Sequence, residues 1–64
     1  MRDIKEELKF EKLELDNKIQ KLGIFIDGRI FPTIPRLQQK LLITQKGFMG
    51  SYSRILGERI QNLN

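Results

Sequence analysis

Four polar side chains that could bind a nucleotide recur every seven residues in the second half of the chain: Gln38, Gln45, Tyr52 and Arg59. Seven residues make nearly two turns of a helix, so these side chains fall in one line, which we name the polar column. The Tyr52 ring could stack on a base, while Gln45 and Arg59 could donate to phosphate oxygens or base edges. This combination is typical of sites that hold nucleotides.

Two apolar rows flank the polar column. The Leu41 row comprises Leu41, Phe48 and Ile55, and the Leu42 row comprises Leu42, Met49, Leu56 and Leu63. At roughly 100° per residue, the column lies between the rows and thus in the middle of one predicted packing face. A buried polar group without a partner costs on the order of 1 to 3 kcal/mol, so each column residue needs a partner across an interface or on a ligand. Two interpretations stay open: a polar layer that fixes the register of a bundle, or a nucleotide site.

Three glycines interrupt the same predicted helix, and each costs about 1 kcal/mol relative to Ala. Gly50 and Gly57 lie opposite the polar column, and Lys40, Gly47 and Arg54 form a row beside them. A strip without side chains, flanked by two cations, would let another helix or a phosphate approach closely. The candidate ligand-binding residues are therefore Gln45, Tyr52, Arg59, Arg54, Lys40 and Gly50.

The elements that must position these residues are two helices. Helix one is predicted over about residues 2–26 because apolar side chains recur at alternating spacings of three and four, at Ile4, Leu8, Leu15, Ile19, Leu22 and Ile26. A second apolar set, Phe10, Leu13 and Ile24, lies off this stripe. A contact between two helices does not need this second set, so it predicts contact with a further protein surface.

A turn is predicted over residues 27–33. Gly28 suits a left-handed helix cap, and Pro32 and Pro35 prevent a continuous helix. Thr33 is predicted to cap helix two, which should run over about residues 34–63. We therefore predict an all-α fold, a two-helix antiparallel hairpin that forms a single domain over residues 1–64.

The composition limits what such a hairpin can do. A chain of 64 residues usually needs a disulfide, a bound metal or an oligomeric partner to be stable. It contains no Cys and no His, which excludes disulfides, the usual zinc sites and imidazole acid/base chemistry. We expect a homo-oligomeric helical bundle that is not an enzyme and needs no cofactor or metal. Asp27 and Glu58 are the only acids after residue 21, and they do not suggest a paired catalytic site.

The net charge of +4 is unevenly placed. Residues 1–21 carry six basic and six acidic side chains, whereas residues 22–64 carry six basic and two acidic ones. The excess suggests an anionic partner for the second part, or a solvated basic face. The apolar runs are far shorter than the roughly 20 residues of a membrane span, and residues 1–21 lack the apolar block of a signal peptide. We expect no membrane partner and a cytoplasmic location.

Helix two also carries a resemblance. The pattern Leu41-Leu42-x-x-Gln45-x-x-x-Met49-x-x-Tyr52-x-x-Ile55-Leu56-x-x-Arg59-Ile60, after a helix ending Lys21-Leu22-x-x-Phe25-Ile26, resembles small phage proteins first noted in crAss-like phages. Their architecture is similar to that of phage helical hairpins that assemble into oligomers and sequester cyclic-nucleotide immune signals, the anti-CBASS and anti-Thoeris sponges. The segment Gln45-x-Gly47-Phe48-Met49 is similar to part of one sponge family. That family's initial Gly-Tyr-Arg segment is absent from this chain. The resemblance therefore implies only a class of function and assigns no ligand-contacting residues.

Three functions compete at this point. The leading hypothesis is a sponge that binds a cyclic dinucleotide, a cyclic trinucleotide or a signal of the cyclic ADP-ribose type without cleaving it. The second is a nucleic-acid-binding phage accessory protein with phosphate contacts from Arg29, Arg36, Lys40, Lys46 and Arg54. The third is a structural or adaptor bundle without a ligand.

Overall fold

The computed structural model describes residues 3–63, which form a hairpin of two helices. Helix α1 spans Ile4–Ile26, a short 3-10 helix spans Phe31–Thr33, and helix α2 spans Arg36–Gln61. No strand occurs within residues 3–63, so the predicted all-α hairpin is confirmed. It measures 46 × 17 × 15 Å. Arg2, the predicted first residue of helix one, lies outside the described residues, as do Met1 and Asn64.

Helix α1 begins with a side-chain cap. The Asp3 carboxylate accepts a hydrogen bond of 2.8 Å from the backbone N–H of Glu6. This bond satisfies one of the free amides of the first turn, where Glu6 and Glu7 also place negative charge against the positive end of the helix dipole. The local sequence therefore fixes where the helix starts.

The predicted left-handed cap at Gly28 is wrong. Helix α1 is capped by Asp27, whose φ is −83°, and no glycine within residues 3–63 has a positive φ. A Cβ atom on Gly28 would lie 3.3 Å from the carbonyl oxygens of both Ile24 and Phe25. Glycine fits this position because the chain passes close to the end of its own helix.

The predicted capping role of Thr33 is also wrong. The Thr33 hydroxyl donates to the carbonyl of Ile30, and the N-cap of α2 is Pro35, without a side-chain cap bond. The residue before a proline is biased away from helical backbone, and Ile34 is extended, with ψ of 160°. The helix therefore starts beyond the reach of Thr33. Gln39 instead ties the turn to α2, since its side-chain amide donates to the carbonyl of Ile34 at 2.9 Å.

The core is a thin seam between the two helices. Among residues 3–63 the buried apolar side chains are Leu8, Phe31 and Leu56, and Leu56 is 0% exposed. Partly buried residues extend the seam along both helices: Leu15, Ile19 and Leu22 on α1, and Leu42, Met49 and Ile60 on α2. At the tip, the rings of Phe25 and Phe31 meet edge to face, with centroids 6.2 Å apart. Neither helix within residues 3–63 has an apolar stretch that could cross a membrane.

Only one of the two apolar rows of α2 faces α1. The Leu42 row lies in the seam, whereas the Leu41 row is exposed, with Leu41 at 51%, Phe48 at 72% and Ile55 at 45%. One partner helix covers an arc of roughly 100°, which is too narrow for both rows and the positions beyond them. The surplus set of α1 also lies outside the seam, as expected: Phe10, Leu13 and Ile24 are all at least half exposed.

Candidate functional site

An open groove of about 500 Å³ lies between the two helices. It is lined by Ile19, Ile26, Ile43, Lys46, Gly47 and Gly50. Its walls are mainly apolar, and its volume falls within the range of roughly 300 to 1,000 Å³ that small-molecule sites occupy. The groove can therefore hold a flat apolar group beside one positive charge.

Lys46 supplies that charge. Its stem crosses to α1 above Gly23, where an added Cβ atom would lie 3.2 Å from the Lys46 Cε atom and 3.8 Å from its Nζ atom. The ammonium makes no ion pair or hydrogen bond with any group of residues 3–63. A cation with a supported stem and no anion, beside apolar walls, is well placed to bind a phosphate.

Gly47 and Gly50 form the side-chain-free wall of the groove. A Cβ atom at either position would meet nothing within 4 Å. Two other helical glycines differ: a Cβ atom built on Gly23 or Gly57 would lie 3.2 or 3.3 Å from the Cε atom of a lysine of the opposite helix. Nothing in the packing of the hairpin thus offsets the helix-propensity loss at Gly47 and Gly50.

The six predicted ligand residues divide between two sides of α2. Gly50 lines the groove, and Arg54 lies one turn further along the same side. Arg54 donates to Glu58 at 3.1 Å, and both side chains are more than 60% exposed. Lys40 is exposed on this side as well. Lys40 and Arg54 therefore lie beside the groove but do not line it.

The other three residues lie across the helix from the groove. Gln45 and Arg59 are exposed, and Tyr52 is 43% exposed. Two residues of separation place Tyr52 about 160° around the helix from Gly50. The prediction that the polar column lies in the middle of the packing face is wrong for the single hairpin, because the seam lies on the far side of the Leu42 row. A ligand in the groove of one chain cannot reach these three residues.

Lys46 was missing from the predicted ligand set and appeared only among the phosphate contacts of the nucleic-acid hypothesis. A sequence signal for it exists. Lys46, Ser53 and Ile60 form a seven-residue row beside the Leu42 row, on the side away from the polar column. A lysine in such a row, opposite a helical glycine such as Gly23, indicates a stem that crosses the seam.

A second polar cluster lies in the seam, about two turns along α2 from Lys46. The Lys12 ammonium donates to the Asp16 carboxylate and to the Ser53 hydroxyl, both at 2.9 Å, and that hydroxyl donates to Asp16. Ser53 is buried and fully satisfied, which makes the cluster a register element of the antiparallel pair. Within residues 3–63 no three acidic side chains are grouped to hold a metal ion.

We predict that acid weakens the hairpin through Asp16. The hydrogen bonds from Ser53 and then Lys12 lower the pKa of Asp16 below its ordinary value of 3.8. A depressed folded-state pKa contributes stability that is complete above the unfolded pKa and is lost as the pH falls through the folded pKa. The midpoint of thermal unfolding should therefore fall below about pH 4, and the difference between wild type and Asp16→Asn should shrink over the same range. Circular dichroism from pH 7 to pH 2 measures both; a constant difference would contradict this role.

A protein-family model described as Sequestin matches residues 2–62 of the chain. The match includes both helices, the groove and the seam cluster. No curated protein and no solved structure shows significant similarity to the chain.

Proposed function

This chain belongs to the Sequestin family, and on that premise we propose that it sequesters a cyclic-nucleotide immune signal without cleaving it. The family name indicates sequestration of a signal molecule, which fits a sponge in general. The proposed ligand is a cyclic dinucleotide, a cyclic trinucleotide or a molecule of the cyclic ADP-ribose type. The protein would act in the host cytoplasm as an anti-CBASS or related anti-defence protein of a phage, of the kind first noted in crAss-like phages.

The main support for this proposal is the groove lined by Lys46, a cation without an ion pair within residues 3–63. Gly47 and Gly50 lower helix stability by about 1 kcal/mol each, and a Cβ atom at either position would meet nothing within 4 Å. Lys46 lines the same space, and its ammonium has no anionic partner within residues 3–63. A ligand with a phosphate and a flat base would pair with the ammonium and lie against the apolar wall. Lys40 and Arg54 would add positive charge for a second phosphate, Arg54 by releasing Glu58.

The mechanism is binding by mass action. A dissociation constant in the nanomolar range corresponds to about 12 kcal/mol and would lower the free signal below what the host effector needs. The groove is open along one side, so we further propose that the functional form is a homo-oligomer in which another protomer closes it. Catalysis is not required, and we propose that the protein is not an enzyme.

Thermal shift with a panel of cyclic nucleotides tests this function. A ligand at 100 times its dissociation constant adds roughly 2.7 kcal/mol of stability. We expect one class of cyclic nucleotide to shift the unfolding midpoint and to be recovered unchanged when the protein is denatured. Linear nucleotides of the same base composition are the control. No shift with any cyclic nucleotide, or recovery of a cleaved product, would contradict the proposal.

Gly50→Ala should separate stability from binding. The new methyl group meets nothing within 4 Å, so the helix gains up to about 1 kcal/mol and the unfolding midpoint rises. The same methyl group narrows the groove, and affinity for the cyclic nucleotide should fall. Asn17→Ala is the matched control, since it raises helix propensity on the exposed face of α1 and should leave binding unchanged. If Gly50→Ala leaves the affinity unchanged, the wall formed by Gly47 and Gly50 is not part of the binding site.

A further inference from the structure

The outer face of α2 bears an apolar strip that the hairpin leaves uncovered. We define the outer face as the Leu41 row together with the polar column that runs beside it. Phe48 is 72% exposed, which is a large exposure for an aromatic ring. From Leu41 to Ile55 the apolar row extends about 21 Å along the helix axis. An exposed apolar strip of this length indicates an interaction surface.

This face is symmetric about Phe48 in three independent ways. Leu41 and Ile55 lie seven residues before and after it, and Gln45 and Tyr52 lie three before and four after it. At the border of the face, Lys40 and Glu58 lie eight before and ten after it, so the midpoints of the three pairs fall within one residue of each other. The first pair is apolar, the second can share a hydrogen bond, and the third has opposite charges. In a symmetric antiparallel helix pair, residue i of one copy meets residue j of the other, and j meets i. A helix with this arrangement is complementary to itself when reversed.

We infer that a second copy of the chain packs its α2 antiparallel on this face, with the two-fold axis at Phe48. The Leu41 side chain then meets Ile55 of the second copy, and the two Phe48 rings meet at the centre. The structure also provides space for these rings. A hollow of about 240 Å³ beside Phe48 is lined by Thr44, Gly47, Phe48 and Ser51. Each Phe48 ring enters the hollow of the other copy, which gives Gly47 a packing partner that the single hairpin lacks.

The flanks of the strip follow the same symmetry. Gln45 and Tyr52 lie on one flank, and in the antiparallel pair this flank meets its own copy. The Gln45 amide contacts only the Met49 sulfur at 3.8 Å, and the Tyr52 hydroxyl has no hydrogen-bond partner within residues 3–63. Each Gln45 thus meets Tyr52 of the second copy, which supplies the partner that the polar column needs.

The opposite flank pairs charges. Lys40 of one copy faces Glu58 of the other, twice in the symmetric dimer. Lys40 has no ion pair within residues 3–63, and Glu58 pairs only with the exposed Arg54. The chosen occupant is a second copy because the apolar, hydrogen-bonding and charged pairs all indicate the same axis. This interface does not rest on the proposed ligand, although Gly47 and Lys40 lie at the border between the outer face and the groove.

Disulfide trapping tests the axis directly, since the chain contains no Cys. A residue on the two-fold axis faces itself, so Phe48→Cys should form a disulfide dimer rapidly under mild oxidation. Asn17→Cys is the control, because Asn17 is exposed on α1, away from both the outer face and the groove. It should stay largely monomeric on denaturing gels over the same period. Equal rates for the two variants would overturn the proposed axis.

The direction of pairing has its own test. A mixture of Leu41→Cys and Ile55→Cys chains should give mainly the mixed disulfide, because each position faces the other across an antiparallel pair. A parallel pair would instead give disulfides between like chains. Mass spectrometry of the products separates these outcomes, and predominance of like disulfides would overturn the antiparallel arrangement.

Charge reversal tests the interface without touching its apolar part. Lys40→Glu or Glu58→Lys alone should weaken the dimer roughly tenfold, measured as the dissociation constant by sedimentation equilibrium, while the double variant should recover wild-type affinity. Within one chain these residues are about 27 Å apart along α2, so recovery can arise only between copies. Circular dichroism checks that each variant stays helical. A double variant no better than the single ones, or a wild type that is monomeric at all concentrations, would refute the interface.

Discussion

Leu56→Ala is expected to remove most of the free energy of unfolding of the hairpin. Leu56 is the one fully buried large side chain within residues 3–63, and Leu8 and Phe31 are the other buried apolar residues there. Truncating a buried leucine costs about 2 to 5 kcal/mol through lost transfer free energy and the cavity that remains. Small domains have total stabilities near the low end of roughly 5 to 15 kcal/mol, so this loss removes most of the reserve.

Urea unfolding followed by circular dichroism measures the effect. The matched control is Leu13→Ala, which makes the same chemical change at a side chain that is 59% exposed on α1. We expect the control to lower the urea midpoint by a small fraction of the Leu56→Ala effect. Equal losses at the two positions would mean that the seam around Leu56 is not the core of the hairpin.

The secondary structure could be predicted from the sequence because local signals specify it. Apolar residues at spacings of three and four indicate both helices, and Pro32 and Pro35 separate them. The details of the turn could not be predicted from residue type alone. Gly28 is needed because the chain passes close to the carbonyl oxygens at the end of α1. Ile34 is extended because a proline follows it, and Thr33 therefore lies too far from α2 to cap it.

The rotation of α2 about its own axis could not be predicted from the sequence, and the location of the site depends on it. Periodicity gives the angle between two rows of one helix, but it does not say which row faces the neighbouring helix when both are apolar. The choice is made by contacts across the seam: the cluster of Lys12, Asp16 and Ser53, and the glycines that accept lysine stems. These contacts turn Ser53 and Lys46 inward and leave Phe48 and Tyr52 outside.

This orientation gives the two faces of α2 different tasks. The groove side carries an unpaired cation and a wall without side chains, which suits a small anionic ligand. The outer face carries an apolar strip with self-complementary flanks, which suits a second copy. The two interpretations of the polar column that the sequence left open are thereby separated, and the register interpretation applies to Gln45 and Tyr52 in our proposal. Gly47 lies between the two faces and lines both hollows.

Lys46→Met should weaken ligand binding strongly while leaving the hairpin folded. Methionine keeps an unbranched stem above Gly23 and removes the ammonium of a residue that lines the groove. A hydrogen bond to a charged group contributes about 1.5 to 3 kcal/mol, so affinity for the cyclic nucleotide should fall roughly 10- to 100-fold. Isothermal titration measures the affinity, and circular dichroism checks the fold.

The control for lost charge is Lys9→Met, which removes one cation from the exposed face of α1, away from the groove. It should bind the cyclic nucleotide as wild type does. Titration with a random DNA duplex at two salt concentrations adds a test of the nucleic-acid alternative, under which Lys46→Met would weaken every duplex and reduce the salt slope by about one. If Lys46→Met binds the cyclic nucleotide as tightly as Lys9→Met, the signal binds elsewhere on the protein, and the groove is not its binding site.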